Sequence, residues 1–326
     1  MGSKRVLLYV IAWLFLASWA AWSASPAERG PHGIGELRED IADVSRGREI
    51  DLLILYPLPT APLRTLATSD PVARYPLILF NHGFMLWGDL YRSYGEQLAS
   101  HGFVVVLPTY PMSMVGISHM TLAADARFVM DHCLTLAKDS GSPLFGLVDA
   151  GAIGAAGHSF GGKLALLEAA TDPRVRAIAT LDPVDGGGLL PADPILTPSV
   201  TPERMSEIRV PLLFVGAGLG GVSTALIACA PTSENYQRFY EAANSPAIEI
   251  TQIGAGHGQY ADPGAALVLA TCTPGAVSAE WVRASSAGYL TAFFLGHLSG
   301  DAGALSWLDA RLGEDEAQGQ ALVRRR

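Results

Sequence analysis

The sequence predicts an α/β fold with a mostly parallel central sheet and helices on both of its faces. Short apolar segments alternate with segments of helical periodicity from residue 50 to about residue 298, which is typical of strands joined by helical crossovers. Hydrophobic residues make up 49% of the 326 residues and charged residues only 16%, so the chain can bury a large core. We expect one domain over residues 24–298.

The predicted strands are short apolar runs that end at loop-forming residues. The run FVVVL at 103–107, for example, is closed by Pro108, which cannot donate to a sheet and often ends a central strand. In chain order, we predict strands over residues 50–55, 77–80, 103–107, 153–157, 177–181, 212–216 and 247–253.

The predicted helices have apolar residues at steps of three and four. In the segment 121–138, Leu122, Ala126, Val129 and Cys133 follow this spacing and form one stripe that faces the core. Helices are predicted over residues 91–100, 121–138, 160–170, 234–243 and 279–298.

Two segments have no convincing periodicity. Residues 186–208 are rich in proline and predict a long loop over the functional site, since long loops in compact domains are usually functional. Residues 299–326 end in three arginines, and we expect them to form a peripheral tail.

The N-terminus has the parts of an export signal. Lys4 and Arg5 precede an uncharged stretch from Val6 to Ala21, and small residues follow it. This pattern predicts a signal peptide over residues 1–23 and an exported, periplasmic or secreted protein. The alternative is an uncleaved membrane anchor, but the run is shorter than the roughly 20 residues that span a bilayer. No stable membrane span is expected after cleavage.

Charge and cysteine content exclude several classes of function. The formal net charge of −9 gives no basic face for nucleic acid. In an exported protein Cys229 and Cys272 could pair, while Cys133 lies in a helical pattern and is expected to be a core residue. The cysteines do not have the spacing of a zinc site, and no dinucleotide-binding glycine fingerprint is present, so neither a metal nor a cofactor is expected.

The strongest chemical signal is Gly-His-Ser-Phe-Gly at residues 157–161. A G-x-S-x-G motif between a strand and a helix forms a tight turn that exposes the serine oxygen at the edge of the sheet. Ser159 is therefore the predicted nucleophile. The alternative is an ordinary glycine-rich strand–helix turn.

A serine hydroxyl needs a base, and the base needs a carboxylate that orients it. His257 lies in a glycine-rich loop after the last predicted strand, whereas His297 lies inside the last helix, so we predict His257 as the base. Asp182 directly ends a predicted strand and is our candidate for the acid. Asp185 is the second candidate, with turn capping as its alternative role.

Backbone groups are expected to bind the developing oxyanion. We predict the N–H of Phe160, which follows the nucleophile, and the N–H of Phe84, which lies in the His82-Gly83-Phe84 loop. Several apolar side chains near these loops are candidates for substrate binding, although they could equally belong to the core. They are Met85, Leu86, Trp87, Met112 and Leu189.

These motifs resemble the α/β-hydrolase superfamily and, within it, the chlorophyllase family. The similarity runs from about residue 75 to residue 298 and includes Asp-Pro-Val-Asp-Gly at 182–186 and Gly-Ala-Gly-Leu-Gly at 216–220. The resemblance implies an esterase with Ser159, Asp182 and His257 as its catalytic triad.

The nucleophile region differs from the usual chlorophyllase pattern. Chlorophyllases usually carry an arginine after the nucleophile, and this chain has Phe160. Around the nucleophile the chain is also similar to platelet-activating-factor acetylhydrolases. We therefore expect a lipid-like or small neutral ester with an apolar part as substrate. The alternatives are a lipase of the acetylhydrolase kind, a polyester hydrolase and an inactive hydrolase-fold binding protein.

Overall fold

The computed structural model describes residues 24–58, 74–112, 118–186, 195–223, 228–265 and 269–326. The predicted signal peptide, residues 1–23, lies outside these residues, as does Leu189. Within the described parts of the chain, no helix is long and apolar enough to cross a membrane.

The strands of the described residues form one sheet in the order β1-β2-β4-β3-β5-β6-β7-β8-β9. The sheet is parallel from β4 to β8, and β1, β2 and β9 are antiparallel to their neighbours. The strands are β1 (Gly33–Asp43), β2 (Arg48–Leu58), β3 (Tyr75–Asn81), β4 (Val104–Thr109), β5 (Val148–His158), β6 (Val175–Leu181), β7 (Leu212–Ala217), β8 (Ala247–Gln252) and β9 (Ala321–Arg325).

Helices cover both faces of this sheet. They are α1 (Arg92–Ser100), α2 (His119–Leu136), α3 (Phe160–Thr171), α4 (Tyr236–Ala242), α5 (Ala279–Leu298) and α6 (Ala302–Ala317). Alternate residues of a strand point to opposite faces. Accordingly, Leu77 and Leu79 belong to the core cluster that includes residues of α2, α3 and α4, while Ile78 and Phe80 belong to the cluster that includes residues of α1, α5 and α6. The fold class predicted from the sequence is confirmed.

The C-terminal segment is the main correction to the sequence analysis. The expectation of a peripheral tail over residues 299–326 is wrong, because this segment forms α6 and β9. Leu308 and Leu312 lie one helical turn apart and are buried, and β9 pairs with β8 along its whole length. The exposed charges of the segment hid this short apolar stripe.

The first strand was also absent from the prediction. β1 pairs with β2 over all of its residues, from Gly33 opposite Leu58 to Asp43 opposite Arg48. It is an edge strand in which charged residues alternate with half-buried ones, so it lacks the continuous apolar run that identified the central strands.

Candidate active site

Ser159 stands on the tight turn between β5 and α3. Its backbone has φ 56° and ψ −124°, a conformation that is strained for a residue with a side chain. A Cβ atom at Gly157 would collide with the carbonyl of Gly161, and one at Gly161 would collide with the carbonyl of Asn81. The two glycines of the motif are therefore required for the turn to pack against β3.

His257 lies beside Ser159 in a loop that follows β8. Its Nε2 is 3.0 Å from Ser159 Oγ, and its Nδ1 is 2.7 Å from Asp182 Oδ2. A carboxylate only accepts hydrogen bonds, so Nδ1 carries the proton and Nε2 is free to accept from the serine hydroxyl. This is the arrangement in which an imidazole can take the serine proton.

Asp182 follows the last residue of β6 and is fully buried. One of its oxygens accepts from His257, and the other accepts from the backbone N–H of Ala217 at the end of β7, at 3.1 Å. Two neighbouring strands thus hold the carboxylate in place. The structure brings together the three residues that the sequence selected as nucleophile, base and acid.

Asp185, the second candidate for the acid, has different partners. Its carboxylate accepts from the backbone N–H groups of Val200 and Thr201, at 2.8 and 2.9 Å. It also lies 3.3 Å from Nζ of Lys163, whose side chain is fully buried. Asp185 therefore ties the described end of the 186–208 loop to α3 and makes no contact of this kind with His257.

His297, the alternative base, lies within α5. Its ring packs against Phe293, with ring centroids 4.6 Å apart, and burial lowers its pKa. It takes no part in the Ser159–His257–Asp182 arrangement.

The loop after β3 lies against the nucleophile turn, since a Cβ atom at Gly161 would lie 2.6 Å from the carbonyl oxygen of His82. His82 is buried, and its Nε2 accepts from the N–H of Tyr110 at 3.0 Å, so its Nδ1 donates to the carbonyl of Gly83 at 2.8 Å. Burial lowers the pKa of His82 to about 4, which keeps the ring neutral. The loop that carries Phe84 is thus held by a neutral histidine.

Phe160 is the first residue of α3, and the first N–H groups of a helix have no partner within the helix. Its ring packs against His119, with ring centroids 4.6 Å apart. Burial, together with the positive charge of Lys163, lowers the pKa of His119 to about 3. The side chain after the nucleophile therefore packs against an uncharged ring.

The candidate substrate-binding residues divide into two groups. Met85 and Trp87 are exposed, at 37% and 39%, whereas Leu86 is 5% exposed and belongs to the core beside α1. Met112 is half-buried and packs against the core on the other face of the sheet. Leu86 is therefore a core residue, as the alternative interpretation of these side chains expected.

A disulfide joins Cys229 to Cys272, with their Cα atoms 5.4 Å apart. Cys133 is a buried free thiol, and burial raises its pKa to about 12. In the part of the chain that the structure describes, no group of three or more His, Cys, Asp or Glu residues is arranged to hold a metal ion.

Sequence reasoning missed the buried polar groups beneath the site. Asn81 donates to Glu168 Oε1 at 2.9 Å and accepts from the hydroxyl of Tyr110 at 2.7 Å. Tyr91 donates from its hydroxyl to His158. The asparagine at the end of the apolar strand β3, Asn81, was the one signal that could have indicated such a network.

Comparison with known proteins identifies the family to which the chain belongs. The chlorophyllase family model matches residues 46–314. Chlorophyllase-2 of Arabidopsis thaliana is 26% identical over 207 residues, which are 60% of this chain and 64% of that protein. Chlorophyllase-1, chloroplastic, of Citrus unshiu is 29% identical over 76% of this chain and 75% of its own length. Chlorophyllase-1 of Arabidopsis thaliana is 30% identical over 65% and 69%. The chain belongs to the chlorophyllase family of α/β-hydrolases.

Proposed function

We propose that this protein is an exported serine carboxylic-ester hydrolase that cleaves a neutral ester with an apolar acyl or alcohol part. The observation that carries the proposal is the pair of contacts at His257, which lies 3.0 Å from Ser159 Oγ and 2.7 Å from Asp182. A serine beside an imidazole that a buried carboxylate orients is equipped for acyl transfer.

The reaction begins when Ser159 Oγ attacks the ester carbonyl carbon while His257 Nε2 takes the hydroxyl proton. The negative charge that develops on the carbonyl oxygen is stabilised by the N–H groups of Phe84 and Phe160. The C–O bond to the alcohol then breaks, and the proton on His257 passes to the departing oxygen. This leaves an acyl group on Ser159.

Water completes the cycle by the same route. His257 takes a proton from the water molecule as its oxygen attacks the acyl carbon, and then returns a proton to Ser159 as the acid leaves. Asp182 holds the imidazole in one tautomer and stabilises the imidazolium in both half-reactions.

The surroundings of the nucleophile support a neutral substrate. Phe160, which follows Ser159, packs against the neutral ring of His119. The exposed Met85 and Trp87 extend the loop that carries Phe84. Such side chains favour an apolar group over a charged one, because a buried charge without a partner is costly.

Export is supported by the predicted signal segment and by the disulfide between Cys229 and Cys272, since disulfides persist mainly in oxidising compartments. Expression of the full chain, followed by mass spectrometry of the recovered protein, tests this. Recovery outside the cytoplasm without residues 1–23 supports export. Recovery from the cytoplasm with an intact N-terminus contradicts it.

An ester panel tests the activity and its substrate range. The purified protein is assayed with p-nitrophenyl esters of graded chain length, and then with chlorophyll, a phospholipid with a short acyl chain, and a polyester. We expect turnover of the neutral esters, with no turnover by Ser159→Ala. Ser306→Ala, which changes an exposed serine of α6, is the matched control.

Covalent labelling tests the nucleophile directly, since a fluorophosphonate should label Ser159 alone. Activity retained by Ser159→Ala, or a wild-type protein inert toward every ester, would contradict the proposal.

A further inference from the structure

His158 connects the nucleophile turn to the two loops that flank it. It precedes Ser159 at the end of β5 and is fully buried, as is Tyr91. Its Nδ1 is 2.7 Å from the hydroxyl of Tyr91, and its Nε2 is 3.0 Å from the backbone carbonyl of His257. The hydroxyl of Tyr91 in turn lies 3.2 Å from the backbone nitrogen of Gly83.

The direction of each hydrogen bond follows from its partners. The carbonyl of His257 can only accept, so Nε2 of His158 carries the proton and Nδ1 is an acceptor. Tyr91 therefore donates to His158, and its oxygen accepts from the N–H of Gly83. Burial and the neighbouring His257 lower the pKa of His158, which keeps this neutral tautomer in place.

We infer that Tyr91 and His158 are positioning residues that hold the Phe84 loop and the His257 loop at fixed distances from Ser159. The inference rests on the proposed function, because it assigns these loops the oxyanion donor and the base. Neither residue contacts the reacting atoms in this scheme. Each acts through a backbone group of a neighbouring loop.

The topology of the sheet explains why such a link is needed. The Phe84 loop follows β3, which is paired with β5, but the His257 loop follows β8, and β6 and β7 lie between β5 and β8. Strand pairing alone therefore fixes the first loop far better than the second. His158 connects β5 to the His257 loop, and the centroids of the His158 and His257 rings are 4.7 Å apart.

The fit around Gly83 adds a second constraint. A Cβ atom at Gly83 would lie 3.2 Å from the hydroxyl of Tyr91 and 3.4 Å from Nδ1 of His158. The backbone of the Phe84 loop thus packs directly on the hydrogen-bonded pair. Removal of the hydroxyl would leave the Gly83 N–H without its acceptor and leave room for the loop to shift.

The main test is Tyr91→Phe, which removes the hydroxyl and keeps the ring that packs on Phe80, with centroids 5.1 Å apart. The matched control is Tyr260→Phe. The Tyr260 ring also contacts His158, with centroids 5.7 Å apart, but its hydroxyl has no hydrogen-bond partner within the described residues.

The measured quantities are kcat per active site titrated with a fluorophosphonate, KM for one soluble ester, and hydrogen exchange of the Gly83 amide. For Tyr91→Phe we expect kcat to fall by about 10- to 100-fold, because small displacements of catalytic groups cost rates of this order. We expect KM to stay within about twofold and Gly83 exchange to become faster. Tyr260→Phe should match the wild type in all three quantities.

A second variant, His158→Asn, keeps the test decisive if Tyr91→Phe does not fold. Its side chain is too short to reach the carbonyl of His257, so we expect a similar loss of kcat. In the double variant the loss should be smaller than the product of the two single losses, because the two residues share the hydrogen bond between Tyr91 and His158.

Three results would overturn the inference: wild-type kcat in both single variants, the same loss in Tyr260→Phe, or losses that multiply in the double variant. A wild-type protein without ester hydrolysis would instead contradict the proposed function. In that case the hydrogen bond between Tyr91 and Gly83 can still be tested separately. It is refuted if Tyr91→Phe leaves the hydrogen exchange rate of the Gly83 amide unchanged.

Discussion

Asp182 and Asp185 lie three positions apart, yet their carboxylates bind different parts of the molecule. Asp182 accepts from Nδ1 of His257 at 2.7 Å. Asp185 accepts from the N–H of Thr201 at 2.9 Å and lies 3.3 Å from Nζ of Lys163. One aspartate therefore orients the proposed base, and the other anchors a loop to a buried lysine.

This difference predicts different defects in two conservative variants. Asp182→Asn should lower kcat by about 10⁴-fold, because the amide favours the wrong tautomer of His257, with little change in the thermal midpoint. Asp185→Asn should lower the free energy of unfolding by about 2–3 kcal/mol, because it leaves the charge of Lys163 buried beside a neutral group. Each variant serves as the control for the other. Measurement of kcat and of the unfolding midpoint on both variants distinguishes them, and the reverse pattern would make Asp185 the acid.

Glu168 provides a test based on pH. It is buried, and burial raises its pKa well above the ordinary value of 4.5. Above pH 4.5 the unfolded chain releases a proton that the folded protein retains, so this group makes the free energy of unfolding fall as pH rises. Glu168→Gln removes that titration and keeps an oxygen that can accept from Asn81.

We therefore expect Glu168→Gln to become more stable relative to the wild type as pH rises. The difference in the free energy of unfolding should change by up to about 1.4 kcal/mol per pH unit. Denaturant unfolding of both proteins at about pH 5.5 and about pH 7.5 measures this difference in the free energy of unfolding. Glu203→Gln, at an exposed position, should show no such trend. A stability difference that stays constant with pH would indicate that Glu168 is ionised in the folded protein.

The disulfide should contribute strongly to stability because it closes a long loop. Cys229 and Cys272 are 43 residues apart, for which the chain-entropy relation gives about 4 kcal/mol. The double variant Cys229→Ser/Cys272→Ser should unfold at a correspondingly lower denaturant concentration. A reductant should lower the stability of the wild type to that level and leave the double variant unchanged. In the native wild type none of the three cysteines should react with an alkylating agent, and an alkylated Cys229 or Cys272 would contradict the pairing.

Arg324 on β9 compensates a buried carboxylate on β8. Its guanidinium pairs with Glu249, which is 3% exposed. Arg324→Ala should destabilise the protein by about 1–3 kcal/mol at neutral pH, because Glu249 loses its partner. Addition of Glu249→Gln should recover part of that loss. Arg325→Ala, whose partner Asp309 is exposed, is the control and should cost less than about 1 kcal/mol. Equal losses for the two arginine variants would contradict this role of Glu249.

The sequence predicted the central strands and the nucleophile turn well because both have local signals. Strands buried on both faces are continuous apolar runs, and the glycines around Ser159 mark a turn that only they can form. Asp182 and His257 could be selected because Asp182 directly follows a predicted strand and His257 lies in the loop after another. The carboxyl ends of parallel strands meet at one edge of the sheet.

The parts that were missed depend on contacts between distant segments. β1, α6 and β9 carry many charged residues, and their identity as sheet or helix is set by the neighbours they pair with. Tyr91 and His158 are 67 positions apart, and nothing in the sequence around Tyr91 distinguishes it from Tyr94, another buried tyrosine of the same region. Such pairings follow from the assembled fold.

β9 also bears on self-association. An open sheet ends in a strand with unpaired backbone groups, which can pair with the same strand of a second molecule. Here that strand carries Arg324 and Arg325 beside the exposed Leu322. Two such strands that paired in parallel register would bring Arg324 and Arg325 against their own copies, and like charges on facing strands are unfavourable. The arginines of the last strand thus counteract the aggregation that its exposed leucine and open edge would otherwise promote.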